Sequence, residues 1–133
     1  MQRFMLRSKI HGATLTGTEL DYEGSIAIDR DLIEAAGLLP GEQVHVLNFS
    51  NGERLITYVI EAPAGSGTVM LNGPAARLGV RGDRLVVLGY AAVSEEEARR
   101  MKPVVVRADA SNRPEKKPPA SLLREPSDDQ ARL

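Results

Sequence analysis

The stretch AAGLLPGEQVHV, residues 35–46, decides the fold, because a similar stretch, ARLGVRGDRLVV, follows at residues 76–87. Each has the pattern of a helix end, a turn in which glycine precedes an acidic residue, and then a strand. Two similar halves predict a pseudo-symmetric β-barrel. A short helix, a tight turn and a strand also converge by chance in many domains, so the repeat bears on architecture and not on function.

The rest of the chain, on both sides of these stretches, is dominated by short β-rich runs. They lie at residues 3–11, 13–16, 25–28, 44–48, 54–61, 69–71, 84–93 and 104–107. Asn51-Gly52 predicts a hairpin between two of them. Short helices are expected at residues 30–36, after the N-cap Asp29, at residues 75–78, and after a capping box that begins at Ser94. The sequence therefore predicts a mainly β fold with short helices.

The composition of the chain changes near residue 110. All 12 glycines and all five aromatic residues lie before residue 91, whereas residues 111–133 hold four of the eight prolines and nine charged residues. A segment with so little apolar surface does not offset the entropy of ordering it. We therefore expect a folded domain over residues 1–109 and a flexible tail over residues 110–133.

The composition also excludes several chemistries. The 133 residues contain no cysteine and two histidines, so thiol nucleophiles and disulfides are absent and a metal site is not expected. With 17 basic and 18 acidic residues, the chain has no broad positive surface for nucleic acid. Its longest apolar run has nine residues, too short to span a bilayer, and the expected location is cytoplasmic.

The stretch YEGSIAID, residues 22–29, is the most informative one for chemistry. Taken alone, Gly24-Ser25 at the entry to a strand is ordinary, because glycine permits the backbone angles of a turn and serine forms local hydrogen bonds. What distinguishes this pair is the company of three other stretches: MLRSKIHGATLT (residues 5–16), NGERLITY (residues 51–58) and NGPAAR (residues 72–77).

Together these four stretches resemble the aspartate 1-decarboxylase family over residues 1–109. The resemblance implies a six-stranded double-psi β-barrel with short helices, assembled as a homotetramer with active sites at subunit interfaces. It also implies decarboxylation of L-aspartate to β-alanine, which feeds pantothenate and coenzyme A biosynthesis. Family members differ in whether they need a maturation factor, which is a further candidate partner.

The resemblance implies that the cofactor is made from the chain itself. The Ser25 hydroxyl attacks the Gly24 carbonyl, and the resulting ester eliminates to dehydroalanine, which hydrolyses to ammonia and a pyruvoyl group. A β chain of residues 1–24 and an α chain of residues 25–133 result. The pyruvoyl group then forms a Schiff base with the substrate and accepts electrons as carbon dioxide leaves.

The resemblance also assigns roles to other residues. Lys9 and Arg54 hold the substrate carboxylates, with His11 beside them, while Tyr58 is the proton donor. Thr57 holds the Gly24 carbonyl, and a loop contacts the substrate through Asn72, Gly73, Pro74 and Ala75. Proline stands at position 74 where the family commonly has alanine, so that position has no N–H to donate.

Strand alternation constrains how these residues share one site. Arg54 and Tyr58 fall on one face of a strand and Thr57 on the other, so either the strand bulges or the site lies between subunits. Without the resemblance, basic residues on strands are expected only to keep sheet edges soluble. A non-catalytic double-psi or swapped-hairpin barrel, acting as an adaptor or a DNA-binding module, is the alternative function.

Overall fold

The computed structural model describes residues 1–115, so residues 116–133, most of the predicted tail, lie outside the described part. Most of the secondary structure is β-strand. The strands are β1 (Gln2–Thr14), β2 (Gly17–Glu19), β3 (Ser25–Asp29), β4 (Gln43–Asn48), β5 (Arg54–Ala62), β6 (Val69–Asn72), β7 (Arg84–Ser94) and β8 (Val104–Arg107). Their order across the sheet is β2-β6-β3-β5-β4-β7-β1-β8. The helices are α1 (Arg30–Ala36), α2 (Glu95–Arg100) and a 3₁₀ helix, Gly73–Leu78.

The sheet closes into a barrel because β1 continues almost directly into β2. Only Leu15 and Thr16 separate the two strands, yet β1 pairs with β7 near one end of the strand order while β2 pairs with β6 at the other. With β1 and β2 counted as one strand, six strands form the barrel, and β8 adds in parallel to β1 outside it. The mainly β, six-stranded double-psi class with short helices is confirmed.

The core lies inside this barrel and is filled by aliphatic side chains. Fully buried members include Ile10 on β1, Val46 on β4 and Leu85 on β7. Helix α1 covers one opening, since its Leu32 and Ile33 are buried in the same cluster. Along β4, the buried Val44 and Val46 alternate with the more exposed Gln43, His45 and Leu47, so burial fixes which face of this strand points inward.

The two similar stretches form two equivalent turns, each receiving another strand. Gly41 N donates to Val59 O at 2.7 Å, and Val59 N donates back to Glu42 O at 3.0 Å. In the second turn, Gly82 N donates to Leu15 O, and Leu15 N donates back to Asp83 O, both at 2.8 Å. The two halves therefore share one hydrogen-bond pattern, which confirms the pseudo-symmetric barrel.

The packed structure extends past Asp109, the predicted end of the domain. Asn112 is 2% exposed, has a φ of 58°, and bonds through its side chain to the backbone of Thr14 and Gly67. A polar side chain satisfied in this way needs little apolar surface, so composition alone did not reveal it. Among residues 1–115, no helix is long and apolar enough to cross a membrane.

Candidate active site

The Gly24-Ser25 bond lies where the turn after β2 enters β3. Ser25 is fully buried, and its hydroxyl donates to Glu23 O at 3.0 Å. The same oxygen accepts a hydrogen bond from Asn72 Nδ2 at 3.1 Å. The contact with Asn72 follows from strand pairing, because Ser25 stands opposite Asn72 in the antiparallel ladder of β3 and β6. The serine hydroxyl is therefore held on both sides before any reaction begins.

The residues after Asn72 press against the other side of the same bond. Gly73 has a φ of 67°, and a Cβ on it would lie 2.7 Å from both the Cα and the nitrogen of Gly24. The same atom would be 2.8 Å from Tyr22 O. Pro74 follows, with its Cδ 3.5 Å from the position that a Cβ on Gly24 would take. Only glycine fits at position 73, for reasons of both conformation and space.

The surroundings of Gly24 leave room for a Cβ atom, although the proposed cleavage chemistry suggests that glycine is needed there. Its φ is not positive, and the only heavy atom near its Cβ position is at an ordinary contact distance. In this conformation, the glycine requirement therefore falls on Gly73 and not on Gly24. The sequence alone suggested that Gly24 must be glycine. It did not point to Gly73, because Gly73 lies 49 positions further along the chain.

A cleft of about 430 Å³ opens beside Gly24. Five of the residues assigned by resemblance line it: Gly24, Thr57, Tyr58, Pro74 and Ala75. Leu55, Ile56 and Leu78 complete the lining, so most of the wall is apolar. The structure thus brings together one group of the assigned residues, contributed by β5, the start of β3 and the 3₁₀ helix.

Lys9, His11 and Arg54 are not among the residues that line this cleft. They lie on the outer face of the barrel, where His11, Val86, Leu47 and Arg54 follow one another across four strands. At about 4.8 Å per strand, the backbones of His11 and Arg54 are roughly 14 Å apart. Lys9 stands in the next such row. The assigned cations therefore form a second group, on the outer face and outside the lining of the cleft.

The strand that carries both groups is regular. Strand β5 pairs with β4 from Arg54 opposite Leu47 to Tyr58 opposite Gln43 without a register shift. Tyr58 and Arg54 consequently share the outer face, while Thr57 points to the other one. Of the two arrangements considered from the sequence, the bulge in this strand is wrong, and a site between subunits stays a prediction.

The outer face carries positive charge without acidic partners. Among residues 1–115, neither Lys9 nor Arg54 forms an ion pair, and Arg54 Nη1 instead lies 3.3 Å from His45 Nδ1. Burial lowers the pKa of His11, and the charge of Lys9 adds to this effect. Arg107 and Arg84 lower the pKa of His11 further. This face therefore suits an anion and keeps His11 neutral at neutral pH.

Neutral His11 has an unsatisfied atom. Its Nδ1 is buried and has no hydrogen-bond partner within residues 1–115. Its ring packs edge-on against Phe49, an aromatic side chain that is 60% exposed, with the ring centroids 5.6 Å apart. Sequence reasoning missed Phe49, His45 and Arg107 as neighbours of the assigned cations. Cross-strand register is the signal that identifies them, and it requires knowing which strands pair.

No group of three or more histidine or carboxylate side chains could hold a metal ion among the described residues. The cleft is lined by Gly24 and by two residues with hydroxyl groups, Thr57 and Tyr58. The residue after Gly24, Ser25, is buried, and its hydroxyl bonds to the side-chain amide of Asn72. This set suits nucleophilic attack by a hydroxyl and proton transfer from a phenol.

Comparison with known proteins agrees with this chemistry. A family model described as aspartate decarboxylase matches residues 1–115. An aspartate 1-decarboxylase of Dehalococcoides mccartyi is 57% identical over 109 residues, which cover 82% of this chain and 88% of the relative. One from Acaryochloris marina is 57% identical over 113 residues, covering 85% and 86%. One from Maricaulis maris is 54% identical over 121 residues, covering 91% and 100%.

These matches span the whole barrel and both groups of assigned residues. The chain is therefore an enzyme of the decarboxylase class, and the alternative of a non-catalytic barrel is not supported. Within that class it belongs to the aspartate decarboxylase family.

Proposed function

We propose that this chain cleaves itself between Gly24 and Ser25 and uses the resulting pyruvoyl group to decarboxylate L-aspartate to β-alanine. Family membership supports the reaction, and β-alanine is the precursor that places it in pantothenate biosynthesis. One structural observation carries the proposed cleavage: Asn72 bonds the Ser25 hydroxyl on one side of the bond to be broken, and the backbone of Gly73 lies against Gly24 on the other.

The contacts of Ser25 suit a nucleophile. In the cleavage step, a bond forms between Ser25 Oγ and the carbonyl carbon of Gly24, the peptide C–N bond breaks, and the hydroxyl proton passes to the freed Ser25 nitrogen, which leaves an ester and an amine. The N–H group that Asn72 donates to Oγ orients the hydroxyl and favours the loss of its proton before attack. Because Ser25 is fully buried, the hydroxyl reacts with the neighbouring carbonyl in an environment with little competing water.

The position of Ser25 also fits the group that would form from it. The pyruvoyl group supplies an electron sink for the loss of carbon dioxide. Asn72 Nδ2 bonds Ser25 Oγ, the atom that would leave with the Gly24 carboxylate when the ester is eliminated. Tyr58 and Thr57 line the cleft beside Gly24. This lining supports a role for the Tyr58 phenol in returning a proton to the substrate carbon. Gly73, Pro74 and Ala75 form the facing wall.

A second copy of the chain would complete the substrate site. Aspartate carries two carboxylates, whereas no cation lines the cleft, and Lys9, His11 and Arg54 lie on the outer face. That face also exposes large apolar side chains, among them Phe49 and Ile56 at 60% and 59% exposure. Such a surface is typical of a contact between subunits. We infer that these cations serve the cleft of a neighbouring subunit, in a homotetramer.

Intact-mass measurement tests the cleavage. We expect two chains, of 24 and 109 residues, with the longer one lighter than a serine-started chain by the mass of ammonia. Ser25→Ala is expected to remain a single chain and to form no β-alanine. A purified protein that stays uncleaved, also after incubation with lysate as a source of a maturation factor, would contradict the proposal. So would a Ser25→Ala protein that produces β-alanine.

Subunit complementation tests the shared site. Ser25→Ala and Arg54→Ala are each expected to abolish decarboxylation, the second by removing a carboxylate-binding guanidinium. If Arg54 serves a neighbouring subunit, co-expression of the two variants restores part of the activity, because some sites combine an intact Ser25 with an intact Arg54. Absence of any restored activity in mixed oligomers, with their composition confirmed by mass, would show that each chain supplies its own cations.

A further inference from the structure

Pro74 is the one residue of the segment facing the Gly24-Ser25 bond whose contact the proposed chemistry does not use. Asn72 holds the Ser25 hydroxyl, and the backbone of Gly73 lies directly against Gly24. Pro74 contributes neither a hydrogen-bond donor nor a charge. Its ring nevertheless lines the cleft beside Gly24, with Cδ 3.5 Å from the Cβ position of that glycine.

The surroundings of Pro74 do not point to a role in the core. Its side chain is exposed, and it is not a member of the buried cluster that fills the barrel. It occupies the beginning of the 3₁₀ helix, where a missing N–H costs no helical hydrogen bond. Neither apolar burial nor backbone pairing therefore explains the ring at this position.

What the ring does provide is rigidity next to the bond. Proline fixes its own φ near −65° and also restricts the residue before it. That preceding residue is Gly73, which without this restriction has the widest conformational freedom of any residue. Because the Gly73 backbone touches the Cα and nitrogen of Gly24, any motion of residue 73 moves one side of the peptide bond against Ser25.

We propose that Pro74 is a positioning residue for self-cleavage: it restrains Gly73 and presents its ring to Gly24, so that the Gly24 carbonyl stays within reach of the Ser25 hydroxyl. This inference rests on the proposed cleavage between Gly24 and Ser25. It assigns Pro74 a part in maturation that is separate from any contact with the substrate.

The rate of cleavage in three variants tests this role. Each chain is made by cell-free synthesis, and the uncleaved fraction is followed with time on denaturing gels. Pro74→Gly removes both the ring and the restraint, and we expect cleavage about 3- to 10-fold slower. Pro74→Val keeps apolar bulk against Gly24 and a stiff β-branched side chain, so it should recover part of that loss.

Pro40→Gly is the matched control, because Pro40 is also exposed and adjoins a glycine of positive φ, Gly41. It lies among the residues of a different cleft, and its replacement should leave the cleavage rate unchanged. Thermal unfolding is compared in uncleavable Ser25→Ala proteins with and without Pro74→Gly. Midpoints within a few degrees of each other are expected, since the ring is outside the core.

The outcomes distinguish the positioning role of Pro74 from the proposed self-cleavage on which it rests. If the unaltered chain is never cut after Gly24, the proposed function fails. If the unaltered chain is cut and Pro74→Gly matches its rate, only the positioning role fails. The positioning role is also overturned if Pro74→Val is cleaved as slowly as Pro74→Gly. It is likewise overturned if both variants lose much of their thermal stability, since misfolding would then explain their slow cleavage.

Discussion

The turns over residues 39–42 and 80–83 are nearly identical, yet the N-cap residues of the helices before them, α1 and the 3₁₀ helix, have different roles. In one turn Leu39 N donates to Glu42 Oε1 at 2.9 Å, and in the other Val80 N donates to Asp83 Oδ2 at 3.0 Å. Each turn also contains a glycine of positive φ, Gly41 or Gly82. The scaffold of the barrel is therefore built twice from the same local chemistry.

The N-caps of the two helices show the difference. Asp29, before α1, accepts hydrogen bonds from Asp31 N, Gly65 N and Gly67 N through a fully buried carboxylate. Asn72, before the 3₁₀ helix, makes no side-chain cap and donates to Ser25 Oγ instead. One cap thus serves folding and the other serves the reactive bond. Two N-cap residues of a repeated scaffold can therefore have different functions. Asn72 does not bond to its own helix, so its side chain is free to bond to Ser25.

Gly73→Ala should break the reactive half most severely. Its Cβ would overlap the backbone of Gly24, and its φ of 67° disfavours any other residue. We expect no detectable cleavage on the time scale of the unaltered chain, and a loss of about 3–4 kcal/mol in unfolding free energy. Gly41→Ala is the control from the other repeat, with a φ of 87° and nothing near its Cβ position. A normally cleaved Gly73→Ala protein would contradict the observed contact.

Replacing each N-cap residue with alanine should distinguish the cap that stabilises the fold from the cap that holds the reactive serine. Asp29→Ala removes the acceptor of three backbone donors, and we expect about 2–3 kcal/mol less unfolding free energy. Asn72→Ala removes one hydrogen bond and should cost about 1 kcal/mol. Both are measured by urea unfolding of freshly made, uncleaved chains that keep Ser25, because Ser25→Ala would itself remove the hydrogen-bond partner of Asn72. Equal losses would show that Asn72 supports the fold as much as Asp29 does.

The contribution of Asp29 should also depend on pH. Burial by itself raises the pKa of Asp29, but the N–H groups of Asp31, Gly67 and Gly65, with Arg113 nearby, lower it below its ordinary value. The unfolded chain therefore takes up this proton first as the pH falls. Its stabilising effect is complete above about pH 4 and is lost as the pH falls through the folded pKa.

Urea unfolding between pH 7 and pH 3 checks this sign. The unfolding free energy of Asp29→Asn should fall less steeply in acid than that of the unaltered chain, so their difference shrinks towards pH 3. Asp31→Asn, at a neighbouring carboxylate on α1, is the control for general loss of negative charge. A difference that grows in acid would contradict the lowered pKa of Asp29.

The smallest and most symmetrical effects are expected in the two turns. Glu42→Ala and Asp83→Ala each remove one acceptor for a turn N–H, and each should lower the unfolding midpoint by a few degrees. Differential scanning calorimetry on the two variants measures this directly. Midpoints that differ widely would show that the halves are alike in shape but not in energy.

Local patterns predicted the elements well. Asp29 accepts from Asp31 N at the start of α1, Gly37 ends that helix with a φ of 70°, and Ser94 accepts from Glu97 N at the start of α2. Seven of the eight predicted strand runs lie within strands, and the run at residues 13–16 lies half within β1. The exceptions concern connections: β1 is one strand with irregular pairing near His11 where two were expected, and β2 follows it. Bulges depend on the partner strand, which local sequence does not name.

The candidate site was predicted as a set of residues but not as an arrangement. Resemblance collected Ser25, Asn72 and Gly73, and the structure places them in contact. It also collected Lys9 and Arg54, which the structure places on the outer face and apart from the cleft. Ser25 and Asn72, which are 47 positions apart along the chain, become neighbours through strand pairing, and local sequence patterns do not give such distances.

By itself the sequence determined the class of fold, the repeat, the helix caps and the family, because these depend on short-range periodicity, turn chemistry and residue identity. The tertiary structure was needed to show that Gly73, and not Gly24, requires glycine, that the packed chain extends to Asn112, and that the cations do not line the cleft. The physical reason is that close backbone contact, burial and cross-strand register depend on which distant segments the closed barrel brings together.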